Sequence, residues 1–382
     1  MSFRDGMRKA IQGKTRKQVV FSGTEKLFQA NFLPCGLAGV DWSLGGGFAY
    51  GRLGELFGNY SSGKTYLLYL FLAMNQRLGG ESALIESEFA YNEEFFKAIG
   101  GDPSTLTVRP VRRVEDAFDS MAEIAAFAIK EGANVPIAIG WDGIAATGTK
   151  HLQDVGMDKK DMSKALIMSQ GTQYITDMIG ESKICVIATN QVRETIGDDN
   201  YYQPTHTPGG KAWPFHASQR MELIFNGKMI HQVGEDGKKD EDTKKKTPPI
   251  GHWVKTHIVK NKLAPPMLQT NLPFYNFADE EHPVYGHQTK VGVDYVEALW
   301  DFYVHSRYRM TVDGEKRPVV RAVTANGWYA LDDSLGLERK FQAKDWPEIL
   351  AARPDLWQLV YQKKSEIAEV TDGAGEPAQK VD

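Results

Sequence analysis

Apolar positions along this chain fall into two rhythms. Short apolar runs at residues 53–57, 83–85, 137–139 and 184–188 are too brief for helices and read as buried strands. Residues 66–74, 114–130 and 163–179 instead form longer, helix-like stretches. Strands alternating with helices between about 33 and 268 predict an α/β fold, a mostly parallel sheet flanked by helices on both faces. Residues 234–246 hold five acids, five bases and no apolar side chain, which predicts a mobile surface hairpin tip. Residues 192–210, with two prolines and three glycines, predict a second mobile loop, and loops this long usually carry function. After Pro265-Pro266 the pattern turns aromatic and irregular, then helical again over 293–305. The expected organisation is a basic entry segment at 1–33, a core at 34–270, a smaller C-terminal domain at 271–362 and a frayed tail at 363–382.

Composition narrows the class. With 382 residues, 42% hydrophobic and 25% charged, the chain has the make-up of a soluble globular protein. No apolar run approaches the roughly 20 residues of a membrane helix, so no contact with a membrane is expected. Residues 1–9 lack the apolar stretch of a secretory signal. Cys35 and Cys185, far apart in the sequence, read as buried small residues in a reducing compartment, and a cytoplasmic location follows as the expectation. A net charge of −4 argues against coating nucleic acid through bulk charge, yet residues 1–26 carry +5 and residues 363–382 carry −2.

One string concentrates the chemistry. Gly58-Asn59-Tyr60-Ser61-Ser62-Gly63-Lys64-Thr65 is G-x-x-x-x-G-K-T, placed after a strand-like run and before the helix-like run that starts at Tyr66. Such a loop cradles the phosphates of a nucleoside triphosphate, here ATP, with backbone N–H groups and a helix N-terminus. Lys64 reaches the β- and γ-phosphates and Thr65 ligates Mg²⁺. A second magnesium-side carboxylate is expected at the end of a neighbouring strand, and Pro136 to Asp142 supplies Asp142. Hydrolysis also needs a base or a water-orienting group. The run 83–85 leads into Glu86-Ser87-Glu88, two acids expected to point roughly the same way, and Glu88 is favoured because it lies further out. The strand ending at Thr189 leads into Asn190-Gln191, where a neutral amide can sense the γ-phosphate without titrating.

These pieces, in this order, resemble the RecA family of DNA strand-exchange recombinases, with an overall look nearest to phage members of the UvsX type. The resemblance covers roughly residues 33–330. It rests on the Pro34-Cys35-Gly36-Leu37 to Gly51-Arg52-Leu53 approach, Glu86-Ser87-Glu88, Met168-Ser169-Gln170, Thr189-Asn190-Gln191-Val192-Arg193, Gly209-Gly210-Lys211-Ala212, Phe215-His216-Ala217-Ser218 and Val259-Lys260-Asn261-Lys262-Leu263-Ala264-Pro265. It implies a RecA-type P-loop ATPase core, a short N-terminal segment that docks on the next protomer, and a small α+β C-terminal domain. It implies Glu88 as catalytic base, Gln191 as γ-phosphate sensor, and Lys260 and Lys262 reaching the nucleotide of a neighbouring protomer. Phe95 falls at the adenine side beside Tyr66, and Phe215 at the subunit interface. Val19-Val20-Phe21 forms the favoured docking piece, with Leu27-Phe28 as competitor.

The resemblance further implies a DNA-dependent ATPase that forms a helical filament on single-stranded DNA and exchanges strands with a homologous duplex. Single-strand-binding and loading proteins are further partners it suggests. Two loops would meet DNA: residues 147–164, with Lys150, Lys159, Lys160 and Lys164, followed by Ser169; and residues 192–210 with Lys211. The second loop departs from the expected basic character, since Arg193 faces Glu194, Asp198 and Asp199. Contacts there would run through Gly209 and Gly210 backbone, Lys211, and stacking of Tyr201 and Tyr202. Leu166 and Gln173 stand where the family usually places arginines. A helicase or translocase motor and a non-catalytic filament regulator are the competing readings, and a GTPase is disfavoured because Asn261-Lys262 is followed by Leu263-Ala264.

Overall fold

The computed structural model describes residues 30–132, 135–150, 163–194, 205–232, 248–278, 280–337 and 339–361. In chain order, β1 (Phe32–Leu33) and β2 (Phe48–Ala49) pair antiparallel around α1 (Ala38–Leu44). Then follow β3 (Arg52–Gly58), α2 (Lys64–Arg77), β4 (Glu81–Glu86), α3 (Glu93–Ala98), β5 (Leu106–Pro110), α4 (Val114–Lys130), β6 (Ile137–Asp142), α5 (Ser163–Ile179) and β7 (Ile184–Gln191). A two-stranded ladder of β8 (Arg193–Glu194) and β9 (Thr205–His206) leads to α6 (Ala212–His216), β10 (Gln219–Ile230), β11 (Gly251–Asn261), β12 (Gln269–Tyr275) and β13 (Gly292–Val293).

Among the described residues nine strands share one sheet, ordered β13-β12-β11-β10-β3-β7-β6-β4-β5. From β10 to β5 every pairing is parallel, as the alternation predicts; β10 to β13 add an antiparallel extension. Strand β7 shows why the central strands read as unbroken apolar runs. Its Cys185 and Ile187 pack with α2 on one face, and Ile184, Val186 and Ala188 pack with α4 and α5 on the other. Helix α2 is itself buried on nearly all sides from Tyr66 to Ala73, which explains its lack of a polar stripe. Both cysteines are buried and unpaired. Among the described residues no helix is long and apolar enough to cross a membrane.

Two expected boundaries move. Phe32 and Leu33 belong to the β1–β2 ladder, so the core begins ahead of residue 34. The cut at 270/271 falls inside β12, and β13 joins the same sheet through Phe274 and Tyr275. The reason is burial: Leu272 and Phe274 complete the core under α2, with the Phe274 ring 5.3 Å from that of Tyr66. A separate C-terminal core starts at α7 (Tyr295–His305), where Leu299, Trp300, Phe302 and Tyr303 pack with Phe341 and Trp346. This α+β module is latched to α1: buried Asp41 accepts the Cys35 and Gly36 N–H groups and the Tyr361 hydroxyl, at 2.8, 2.9 and 2.6 Å. The expected hairpin tip at 234–246, most of the 192–210 loop and the tail beyond 361 lie outside the described residues.

Candidate functional site

The phosphate loop leaves the C-terminal end of β3 and turns into α2 at Gly63, whose φ of +83° favours glycine. Space demands it too, since a Cβ there would stand 2.4 Å from Cζ of Phe274. Ser62 is buried and its hydroxyl donates to the Asn59 carbonyl at 2.8 Å. Lys64 folds along the loop, donating to the carbonyls of Asn59 at 2.6 Å and Gly58 at 3.2 Å. Burial lowers its pKa, and the negative charges of Asp142 and Glu88 oppose that shift. Tyr60 stands 80% exposed on the loop, beside exposed Asn59 and Ser61.

Three further parallel strands, β4, β6 and β7, bring the remaining groups to the same edge, where ligands of open α/β sheets bind. Asp142 ends β6, buried, and accepts Thr65 Oγ1 at 2.9 Å and Thr189 Oγ1 at 2.5 Å. Burial raises its pKa; the two hydroxyls and Lys64 act the other way. A hydroxyl and a carboxylate are hard oxygen donors, the set Mg²⁺ prefers, so Thr65 and Asp142 fit the ion. Gln191 ends β7 in register with Gly58, and the next amide, of Val192, donates to the Gly58 carbonyl at 3.3 Å.

The two acids at the end of β4 and just beyond it part ways, contrary to the expectation that they point together. Glu86 is buried and accepts the N–H groups of Glu88, Ala90 and Tyr91 at 2.7, 2.9 and 2.6 Å, which shapes the turn. Glu88 is released outward, and its Oε1 lies 3.3 Å from where a Cβ of Gly143 would be, next to Asp142. Partial burial raises its pKa, with Asp142 and Glu86 adding to the effect and Lys64 opposing it. Of the two, Glu86 is held by three backbone N–H groups, whereas the Glu88 carboxylate takes no backbone hydrogen bond among the described residues.

Other expected residues divide. The Tyr66 ring packs in the core against Phe95 and Phe274, with ring centroids 6.0 and 5.3 Å away, so only its backbone faces the loop. Phe95 is half-buried in the same aromatic cluster. Lys164, expected at DNA, has its ammonium donating to the carbonyls of Ile144 at 2.9 Å and Thr147 at 2.5 Å, tying α5 to the segment after β6. Lys150, Ser169, Arg193, Gly210 and Lys211 are exposed. Gly209 packs on Ile144 and Met168 and Gly210 on Ala165, bringing the stems of the two loops together. Leu166, Gln173 and Tyr174 are exposed on α5. Val20, Phe21, Lys159, Lys160, Tyr201 and Tyr202 lie outside the described residues.

Lys260, on β11, and Lys262, just past its end, stand apart from this cluster. Lys260 is in register with Arg220, and Arg220 with Glu55, three residues before Gly58 and two strands away. Strand spacing puts its Cα roughly 14 Å from Gly58. The ammonium turns to the Pro214 and Phe215 carbonyls, both at 2.7 Å, and lies 6.0 Å from the Phe215 ring centroid; that ring is 73% exposed. Burial, then Lys262 and Arg220, push the Lys260 pKa down to about 8.

Sequence reasoning missed His252, which hydrogen-bonds the Ser61 backbone and stacks on Phe274 at 5.8 Å, supporting the loop from behind. It also missed Thr189 as the second hydroxyl on Asp142. Neither carries a local signal, since both act across strands.

Comparison with known proteins agrees with this layout. The RecA N-terminal domain family matches residues 7–278. Protein RecA of Thermus aquaticus is 33% identical over 249 residues, covering 65% of this chain and 67% of that protein. Protein RecA of Thermus thermophilus is 32% identical over 271 residues, covering 70% and 74%. Protein RecA of Campylobacter fetus subsp. fetus is 29% identical over 289 residues, covering 75% and 78%. With a family match spanning most of the chain and a phosphate loop, carboxylates and amide gathered at one sheet edge, the chain belongs to the RecA family.

Proposed function

We propose that this protein is an ATP-dependent DNA recombinase that assembles as a helical filament on single-stranded DNA, pairs it with a homologous duplex and exchanges strands. The observation that carries the reading is a site split in two. Lys64, Thr65, Asp142, Glu88 and Gln191 gather at the C-terminal ends of the parallel strands, whereas Lys260 and Lys262 stand apart from them, two strands away from β3, with Lys260 level with Glu55 and beside exposed Phe215. A head-to-tail neighbour would bring the lysines of one protomer to the phosphate loop of the next, and heterologous contacts of that kind build filaments.

Within such a junction Lys64 and the loop amides hold the β- and γ-phosphates. Glu88 accepts the proton of the water that attacks the γ-phosphorus, giving ADP and phosphate. The neighbour's Lys260 and Lys262 stabilise charge on the transferring group, and Gln191 hydrogen-bonds the γ-phosphate and passes its presence to the loop that follows. Mg²⁺, held by the Thr65 hydroxyl and through water by Asp142, would neutralise phosphate charge. DNA contacts fall to the 147–164 and 192–210 loops, through Lys150, Arg193, Gly209 and Gly210 among the described residues, and to Lys211 next to the second loop.

The test is ATP turnover with and without single-stranded DNA, on the same sample imaged by electron microscopy. DNA-stimulated turnover with open helical filaments is expected, both lost in Lys64→Ala. Closed rings would point to a translocase motor, and no turnover in either condition would refute the reading.

A further inference from the structure

Beneath the site lies a buried polar chain that the proposed chemistry does not use. Glu55, on β3, is fully buried. One carboxylate oxygen pairs with the Arg220 guanidinium, which also lies over the Phe57 ring at 4.6 Å; the other accepts Asn190 Nδ2 at 3.0 Å. The same Asn190 amide donates to the Pro208 carbonyl at 3.1 Å, and its Oδ1 accepts the Gln191 N–H at 3.0 Å. Asn190 and Glu55 are both buried, so the bond between them is made away from water and is costly to break singly.

The ends of this chain are what matter. Gln191 stands beside the start of the phosphate loop, in register with Gly58. Pro208 precedes Gly209 and Gly210, which carry φ of +92° and +79° and open the 209–211 stretch ahead of α6. At the far end of that segment, the Pro214 and Phe215 carbonyls are held by Lys260, which faces Arg220 across β10 and β11. Through Asn190 one buried carboxylate thus connects the nucleotide edge with the stem of the 192–210 loop, and it pairs with Arg220, the register neighbour of Lys260.

We propose that Glu55 and Asn190 are positioning residues that couple the γ-phosphate sensor Gln191 to the Pro208–Lys211 stem of the DNA-facing loop. This rests on the recombinase reading. A shift of the Gln191 backbone changes the bond it donates to Asn190. Asn190 has spent both amide hydrogens, on Glu55 and Pro208, so it moves the stem with it or loses a buried bond. On this proposal the network is the element with two arrangements that coupling between sites requires.

Asn190→Ala removes the bridge and leaves the Glu55–Arg220 pair; Glu55→Gln keeps shape and removes the shared carboxylate. In both, ATP KM and DNA-independent turnover should stay within about twofold of the parent. The gain on adding single-stranded DNA, and the tightening of DNA binding by a non-hydrolysable ATP analogue, should fall by roughly 5–150-fold, the usual span of coupling between sites. A purely structural role would lower basal turnover and stimulation together. Folded variants with parental stimulation would overturn the coupling alone, whereas a parent that single-stranded DNA does not stimulate would overturn the recombinase reading beneath it. Should neither variant fold, hydrogen exchange on the parent decides: the ATP analogue should change protection across 207–216, and unchanged exchange there overturns the proposal.

Discussion

Gly63→Ala perturbs the phosphate loop without touching a charge, and its cost can be worked out from two independent contributions. The backbone at φ +83° costs any residue with a Cβ roughly 1–2 kcal/mol. The new methyl would stand 2.4 Å from Phe274 Cζ and 2.8 Å from Cε1. That ring is 7% exposed and wedged between Tyr66 and His252, so it cannot retreat freely. Overpacking of this kind costs roughly 1–3 kcal/mol, for a total of roughly 2–5 kcal/mol. Urea unfolding of Gly63→Ala, Phe274→Leu and the double variant separates the parts. Phe274→Leu makes room, so the double variant should be more stable than additivity predicts by roughly 1–3 kcal/mol, with the backbone part unrelieved. ATP affinity should stay low in the double variant, because the turn that aims the amides depends on φ rather than on the ring. A loss below about 1 kcal/mol in Gly63→Ala, or strict additivity, would refute the reasoning.

Three more outcomes are expected. Glu88→Gln should bind ATP normally and lose about 10²–10⁴-fold in turnover, with filaments persisting longer on DNA. Because the Glu88 pKa is raised, the acid limb of the parent's pH–rate profile should lie above the ordinary glutamate value, turnover falling as pH drops through it; a parental rate in the variant would move the base elsewhere. With the Lys260 pKa pushed down to about 8, its charge is present below that pH and lost above it, so DNA-stimulated turnover should decline through about pH 8. Lys260→Arg should extend activity to higher pH, and an unchanged alkaline limb would count against a charged role for Lys260. Mixing Lys262→Ala with Lys64→Ala protein should restore part of the DNA-stimulated turnover at junctions that pair an intact loop with intact lysines; full activity of Lys262→Ala alone would exclude the role across protomers.

What the sequence determined by itself is local. The period of apolar positions placed β4, β6, β7, α4 and α5 because a strand buried on both faces must be apolar throughout and a helix must cover it. The phosphate loop was legible because its glycines, lysine and threonine act within eight consecutive residues. What the tertiary structure decided is everything set by register between distant segments. Pairing of β10 with β3 and of β11 with β10 sets Lys260 two strands away from β3 and level with Glu55, and no local pattern encodes that order. Lys164 reads as a free cation until two carbonyls from residues 144 and 147 claim it, and Tyr66 reads as part of the loop until Phe274 arrives from β12. Glu86 and Glu88 are the same residue type two positions apart, yet the backbone folding over Glu86 consumes one carboxylate and leaves the other outward. Glu55, Asn190 and Arg220 are ordinary polar letters in the chain; only close packing of β3, β7 and β10 makes them one buried network, since hydrogen bonds depend on distances that separation along the sequence does not fix.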